Sequence, residues 1–353
     1  MLRGIIFLLA LAGALPLLAL VALAVVTPIT RWGWLYLLGG CLLVIAGLIA
    51  PWFGRRALAL GGAGLVIIVV VAGFRLVRAG AGTSVRLLTL PGGNRSPWIG
   101  RLIDEQDAAL AGAQLLPRLG LFTARERLDL VPTMARSYHT MSSVEGATPS
   151  PFLRTYLGRQ HPDAFDAVVV EPAPGRDART AVVFLHGYTG NFTLPCWLVA
   201  QAARAIDALT VCPSTGWQGH WWKADGERTL AATLAYLRQR GIHRVYLAGL
   251  SNGAIGAVHL VPRTQPPLQG LILISGASAG LPAPDLPVLI VHGREDEQIG
   301  VGGARAFARQ LGARATYVEV EATHFALAQR ADEVREAIAR WLQQQEAQAP
   351  EAG

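Results

Sequence analysis

The chain has 353 residues, of which 52% are hydrophobic and only 16% charged, with a formal net charge of +7. That length suits one large domain plus additional segments. The positive excess comes from Arg3, Arg31, Arg55, Arg56, Arg75, Arg78, Arg86 and Arg95, all ahead of the first acid, Asp104. These arginines flank apolar runs and suit phospholipid headgroups. No basic stripe interleaved with aromatics occurs in the remainder, so nucleic-acid binding is not expected.

Three apolar runs open the chain, at 4–26, 33–50 and 57–77, the first interrupted only by Pro16. Each approaches or exceeds the ~20 residues that cross a bilayer as a helix. Residues 1–78 are therefore expected to form about three transmembrane helices, making the protein an integral, multi-pass membrane protein. Arginines balance almost evenly between the two sides of such a bundle. The start Met1-Leu2-Arg3 before a long apolar run resembles a signal anchor, which favours an extracytoplasmic placement of the C-terminal domain. Cys41 lies within the second run and reads as a small packing residue.

Residues 79–163 carry no nameable motif. The Gly-, Ser- and Thr-rich stretch 79–97 reads as a juxtamembrane linker, 98–119 as helical, and 124–130 and 152–157 as shorter helices. A stalk, a cap over a site and a membrane-proximal layer are all compatible with this composition.

From 164 to 345 strands alternate with helices. Strand candidates fall at 167–170, 180–185, 209–212, 244–248, 268–274, 287–292 and 316–320. Helices are expected near 195–206, 226–240, 254–260 and 332–343, and 346–353 as a disordered tail. This grammar predicts an α/β domain, a mostly parallel sheet flanked by helices. Ligands of such sheets sit beyond the carboxyl ends of the strands. Cys196 and Cys212 are both expected at that edge. A disulfide there would fit an extracytoplasmic compartment; two unpaired buried thiols fit equally.

Gly249-Leu250-Ser251-Asn252-Gly253 stands between a buried strand and a helix. Gly-x-Ser-x-Gly in that context is a nucleophile elbow, which projects the serine and frees the next backbone N–H. A serine needs a base, and the base an orienting acid. His324 lies in the loop before the closing helix and is the only histidine after His292. Asp296, with Glu295 as runner-up, lies in the loop after the strand ending at His292-Gly293. The oxyanion would take the backbone N–H of Asn252 and a second donor from His186-Gly-Tyr-Thr-Gly-Asn191. Tyr188 is favoured there over Thr189, and His186 is expected to brace the loop. Trp217, His220, Trp221 and Trp222 come after the strand ending at Cys212. Thr189, Trp221 and Trp222 are candidates for substrate contact, an aromatic wall for an acyl or aryl group; core filling or membrane-interface packing are the alternatives.

Together these residues resemble the α/β-hydrolase superfamily over roughly 165–345, about half the chain. The resemblance implies a Ser251–His324–Asp296 triad and an acyl-enzyme mechanism with water as the usual acceptor. Two departures stand out: the segment between the strands near Ile274 and Pro287 is too short for the common inserted cap, and the usual N-terminal strands are not evident. No P-loop, dinucleotide-binding motif or zinc spacing occurs, so no cofactor and no metal are expected. The expected activity is that of a membrane-anchored serine hydrolase cleaving a small-molecule or lipid carboxylic ester. A peptidase or acyltransferase of the same fold, or a non-catalytic binding module, are the alternatives.

Overall fold

The computed structural model describes residues 2–81, 84–95, 97–120, 124–173, 175–264 and 268–348. The chain divides into two compact units, Met1–Ala81 with Arg101–Ala135, and Gly82–Gly100 with Arg136–Gly353.

In the first unit the apolar runs form α1 (Leu2–Val25) and α2 (Arg31–Arg78). The second and third runs are the two arms of α2. They make one element interrupted at Phe53 and Gly54, whose dihedrals leave the helical region just after Pro51. Proline in a helix interior removes a backbone donor and crowds the preceding turn, and it kinks helices where a flexible neighbour allows. The break folds α2 back on itself. A Cβ placed on Gly64 would stand 2.7 Å from the Gly39 carbonyl, and one on Gly47 would stand 2.5 Å from Ala10 of α1. Gly54 meanwhile faces the Arg3 guanidinium. Small residues at these crossings let backbones approach closely, as in membrane helix pairs. By length and composition, α1 and α2 are both apolar enough to cross a membrane. Leu15, Leu58 and Val77 remain 76%, 77% and 77% exposed, far more apolar surface than helices in a water-facing core would leave.

Helix α3 (Glu105–Leu115) completes this unit and ties its elements together. Arg75, 2% exposed, donates to the Asp104 carboxylate and to the carbonyls of Arg101 and Ile103. A buried guanidinium is tolerable only with its donors so engaged. Asp107 accepts from both the N–H and the hydroxyl of Thr30, in the loop between α1 and α2.

The second unit is built on a nine-stranded sheet in the order β2-β1-β3-β5-β4-β6-β7-β8-β9. In chain order these are β1 (Val85–Leu90), β2 (Asn94–Arg95), β3 (Phe165–Val170), β4 (Thr180–Leu185), β5 (Leu209–Pro213), β6 (Arg244–Leu250), β7 (Gly270–Ile274), β8 (Val288–Gly293) and β9 (Ala315–Val320). β2, β1, β3 and β5 pair antiparallel, and the run from β5 through β4 to β9 is parallel. The stretch expected as a linker therefore supplies β1 and β2. β1 is hard to see in the sequence because its partner β3 lies some eighty residues on, with Leu87 opposite Val168.

Strand residues alternate between two covered faces. Val183, Val211, Leu247, Leu273 and Ile290 share one core cluster with side chains of α7 (Ala224–Gln239), α8 (Asn252–Leu260) and α9 (Val301–Leu311). On the other face Tyr246 packs its ring against Trp341 of α11 (Ala331–Gln348). α11 also packs on α6 (Thr193–Ala203). α4 (Ala124–Glu145) extends well past the predicted helix at 124–130; Glu145 at its end accepts from the Ser84 N–H and hydroxyl and from the Trp197 indole. α5 (Phe152–Tyr156) is pinned by the Arg154–Asp166 ion pair to β3. A single turn, α10 (Ala326–Gln329), precedes α11. α11 continues through Gln348, with Glu346 accepting from Arg244 and Tyr246. The rest of the expected tail, 349–353, lies outside the described residues.

Candidate functional site

At the carboxyl end of β6 the chain reverses into α8 through Ser251, whose φ of 53° and ψ of −119° are costly for a residue with a side chain. Such a conformation stores on the order of 1–3 kcal/mol and persists only where its surroundings over-determine it. The flanking glycines supply that constraint. A Cβ on Gly249 would overlap the Gly253 backbone, and one on Gly253 would overlap the Leu185 carbonyl at the end of β4.

His324 lies in the loop after β9 and is only 6% exposed. Its Nε2 stands 2.9 Å from Ser251 Oγ and its Nδ1 2.9 Å from Asp296 Oδ2. Asp296, rather than the neighbouring Glu295, is the acid that reaches it. The second oxygen of Asp296 accepts the N–H groups of Gln298 and Ile299 at 3.0 and 2.9 Å. Burial alone would raise this carboxyl. The hydrogen bonds from His292, His324 and the Ile299 backbone outweigh burial and hold it well below the usual carboxylate range. The site thus keeps a charged acid beside the imidazole.

Sequence reasoning does not place His292 in this arrangement. It ends β8 fully buried, with Nε2 2.7 Å from the Ile299 carbonyl and 3.2 Å from Asp296 Oδ2. Asp296 is therefore gripped from two imidazoles and two backbone donors. The only sequence signal is spacing: His292 precedes Asp296 by four residues across a tight turn.

Opposite these groups, the loop after β4 comes close to the serine. A Cβ on Gly187 would stand 3.0 Å from the Leu250 carbonyl and 3.2 Å from Ser251 Cβ. Thr189 is next but one, with a φ of 79°, and is half-buried. Among the described residues, no backbone carbonyl takes the N–H of Tyr188 or of Asn252. Asn252 opens α8, where first-turn donors have no intrahelical partner. His186 braces the loop, as expected: its Nδ1–H donates to the Gly187 carbonyl and its Nε2 accepts the Thr215 N–H. Burial lowers its pKa to about 4, so the ring is neutral at pH 7.

Trp221 does not line the site. It is completely buried, its indole N–H donates to the His186 carbonyl and its ring meets the His186 ring edge-on. Gly256 of α8 leaves the room for it: a Cβ there would stand 2.3 Å from Trp221 Cβ. Trp222 is half-buried and pairs with His220, ring centroids 5.0 Å apart. Among the described residues of these two loops, the exposed aromatics are Tyr188 and Trp217, which pair edge-to-face at 5.1 Å. Cys196 and Cys212 form a disulfide, with Cα atoms 6.0 Å apart, joining α6 to the end of β5.

No protein-family model matches the sequence, and no curated protein matches it. Among solved structures, the chain is similar to α/β serine hydrolases and esterases. Est1E from Butyrivibrio proteoclasticus is 19% identical, over 52% of this chain and 96% of that one, with a TM-score of 0.45. XC6422 from Xanthomonas campestris, described as an α/β serine hydrolase without lid, is 21% identical over 53% and 92%, with a TM-score of 0.44. An α/β serine hydrolase homologue from Coxiella burnetii is 20% identical over 51% and 92%, with a TM-score of 0.42.

Proposed function

We propose that the protein is a membrane-anchored serine hydrolase that cleaves carboxylic esters through Ser251, His324 and Asp296. The observation that carries the reading is His324 lying 2.9 Å from both Ser251 Oγ and Asp296 Oδ2, through its two different ring nitrogens. In this reading Nε2 takes the serine proton as Oγ attacks the ester carbonyl. The N–H groups of Tyr188 and Asn252 receive the oxyanion, each contributing about 3 kcal/mol at the transition state. The imidazolium then gives its proton to the departing alcohol, and Asp296 stabilises that charge and fixes the tautomer. Water, deprotonated by His324, releases the acid and restores Ser251. A module that only binds would have no use for a strained serine, a buried acid and a base in register.

The anchoring part rests on α1 and α2. Their exposed apolar surface suits lipid, and Arg3 and Gly54 share the end opposite Thr30 and Arg75. The chain leaves α2 at the Arg75 end, opposite the end that holds Arg3 and Gly54. Arg3, Arg55 and Arg56 then share one side and Arg31, Arg75 and Arg78 the other, an even division that leaves the orientation to other features. The Cys196–Cys212 disulfide supports an oxidising, extracytoplasmic setting for the hydrolase unit. Hydrolysis of p-nitrophenyl acetate by the full chain in detergent tests the activity. Turnover abolished in Ser251→Ala is the expected result, and turnover retained in that variant contradicts the reading. A thiol-reactive or protease probe of a C-terminal reporter in intact cells tests the sidedness.

A further inference from the structure

Three elements from distant parts of the sequence adjoin one another, two of them against Ser251 or its neighbour Asn252. The first is the loop after β4, with Gly187 against Ser251 and Tyr188 next to it. The second is the loop after β5, where the Asn252 amide donates to the Gln218 carbonyl at 2.9 Å, and Gly219 packs on the Gly187 carbonyl. The third is α5, whose Thr155 methyl would lie 3.0 Å from a Cβ on Gly190, itself close to the Trp217 backbone. α5 belongs to the stretch of the sequence that carries no motif.

These elements present an apolar rim. Among the described residues of the second unit, large hydrophobic side chains are exposed at Trp98, Val144, Tyr156, Leu157, Tyr188 and Trp217. Four of those six stand on the end of α5 and on these two loops. Tyr156, Tyr188 and Trp217 are 53%, 51% and 39% exposed, and the Tyr188 and Trp217 rings cross at 72°. Scattered exposed hydrophobics need no explanation, but a cluster beside a candidate nucleophile does. The supports are stiff: the Arg154–Asp166 ion pair and the Gln160 bonds to Thr155 and Asp166 fix α5. Burial and the neighbouring Tyr188 phenol raise the Tyr156 pKa, so that phenol is uncharged at neutral pH. A rim of rings, rigidly mounted and uncharged, selects for another ring. Edge-to-face and offset contacts add about 0.5–1.5 kcal/mol beyond the area they bury.

Resting on the hydrolase reading above, we infer that Tyr156, Tyr188 and Trp217 form a subsite for an aromatic ring of the ester, carried on its acyl or its alcohol part. The subsite would make ring-bearing esters the preferred substrates.

Four esters assayed on the full chain in detergent test this: ethyl acetate and methyl octanoate without a ring, methyl cinnamate with an acyl ring, and benzyl acetate with an alcohol ring. Tyr156→Ala and Trp217→Ala are expected to keep ethyl acetate kcat/KM within about twofold. One ring-bearing ester should fall about tenfold or more, as loss of a well-packed ring contact predicts; which one falls identifies the ring's side. A parallel fall of all four esters, or of methyl octanoate as much as the ring esters, overturns the subsite. Binding of the ring esters to Ser251→Ala, read by tryptophan fluorescence, separates the subsite from the hydrolase reading. Saturable binding lost in the added Tyr156→Ala, with no turnover in wild type, sinks the hydrolase reading and leaves the subsite. Turnover with no such binding sinks the subsite alone.

Discussion

The two sides of Ser251 are made in different ways. On one side His324, Asp296 and His292 are side chains, almost fully buried, and their arrangement depends on charge and hydrogen bonds. On the other side the loop 186–191 and the loop after β5 contribute backbone N–H groups, glycine contacts and exposed rings. The first side can be damaged by changing one atom's protonation. The second is damaged by changing where the backbone lies. Each side therefore has its own failure signature, and substitutions can tell them apart.

The largest effects belong to the buried side. Ser251→Ala and His324→Ala should each lower kcat by about 10⁶-fold, and Asp296→Asn by about 10⁴-fold, with KM little changed, in a steady-state ester assay. Equal small losses from all three would erase the distinction between the two sides. Next comes a stability effect of His186, which braces the donor loop as a neutral ring. Its pKa is about 4 when folded and about 6.5 when unfolded. Between those values the unfolded chain binds more protons, so stability rises with pH and is lost as pH falls from about 6.5 to 4, by about 3 kcal/mol. Urea titrations at pH 7 and 4.5 check this, and His186→Gln should show a shallower dependence.

Gly187→Ala is the corresponding test of backbone position. Its added methyl would stand 3.0 Å from the Leu250 carbonyl and 3.2 Å from Ser251 Cβ, so the loop must shift. Loss or displacement of one oxyanion donor costs about 10²-fold in kcat. Fluorophosphonate labelling should slow while the fold, read by circular dichroism, is kept. The smallest effect is expected for His292→Phe. Removing one of the donors on Asp296 should lower kcat about tenfold without raising KM, within what slight misplacement of a catalytic group costs. An unchanged kcat would make His292 a packing residue only.

What could be read in the sequence divides along the same line. The meeting of Ser251, His324 and Asp296 was legible because side-chain identity and strand order are written locally: Gly-x-Ser-x-Gly after one strand, Asp296 after another, His324 after the last. The buried parallel strands were legible as short apolar runs. The role of β1 was not, because its partner strand at Val168 lies far along the chain, nor was that of α5, which comes from tertiary contacts with Asp166 and Gly190 rather than from its own pattern. Trp221 and Trp217 could not be told apart by composition. The space that Gly256 leaves for the Trp221 side chain comes from α8, later in the chain, and not from the loop itself. The second and third apolar runs were legible as helical arms, and the reversal between them falls at Phe53 and Gly54, just after Pro51.

The most direct test is a fluorophosphonate probe applied to the full-length protein in detergent, with the adduct located by peptide mass spectrometry. One adduct on Ser251, absent in Ser251→Ala and nearly absent in His324→Ala, is the predicted result. A wild-type protein that stays unlabelled while folded, or that labels equally without His324, would contradict the account.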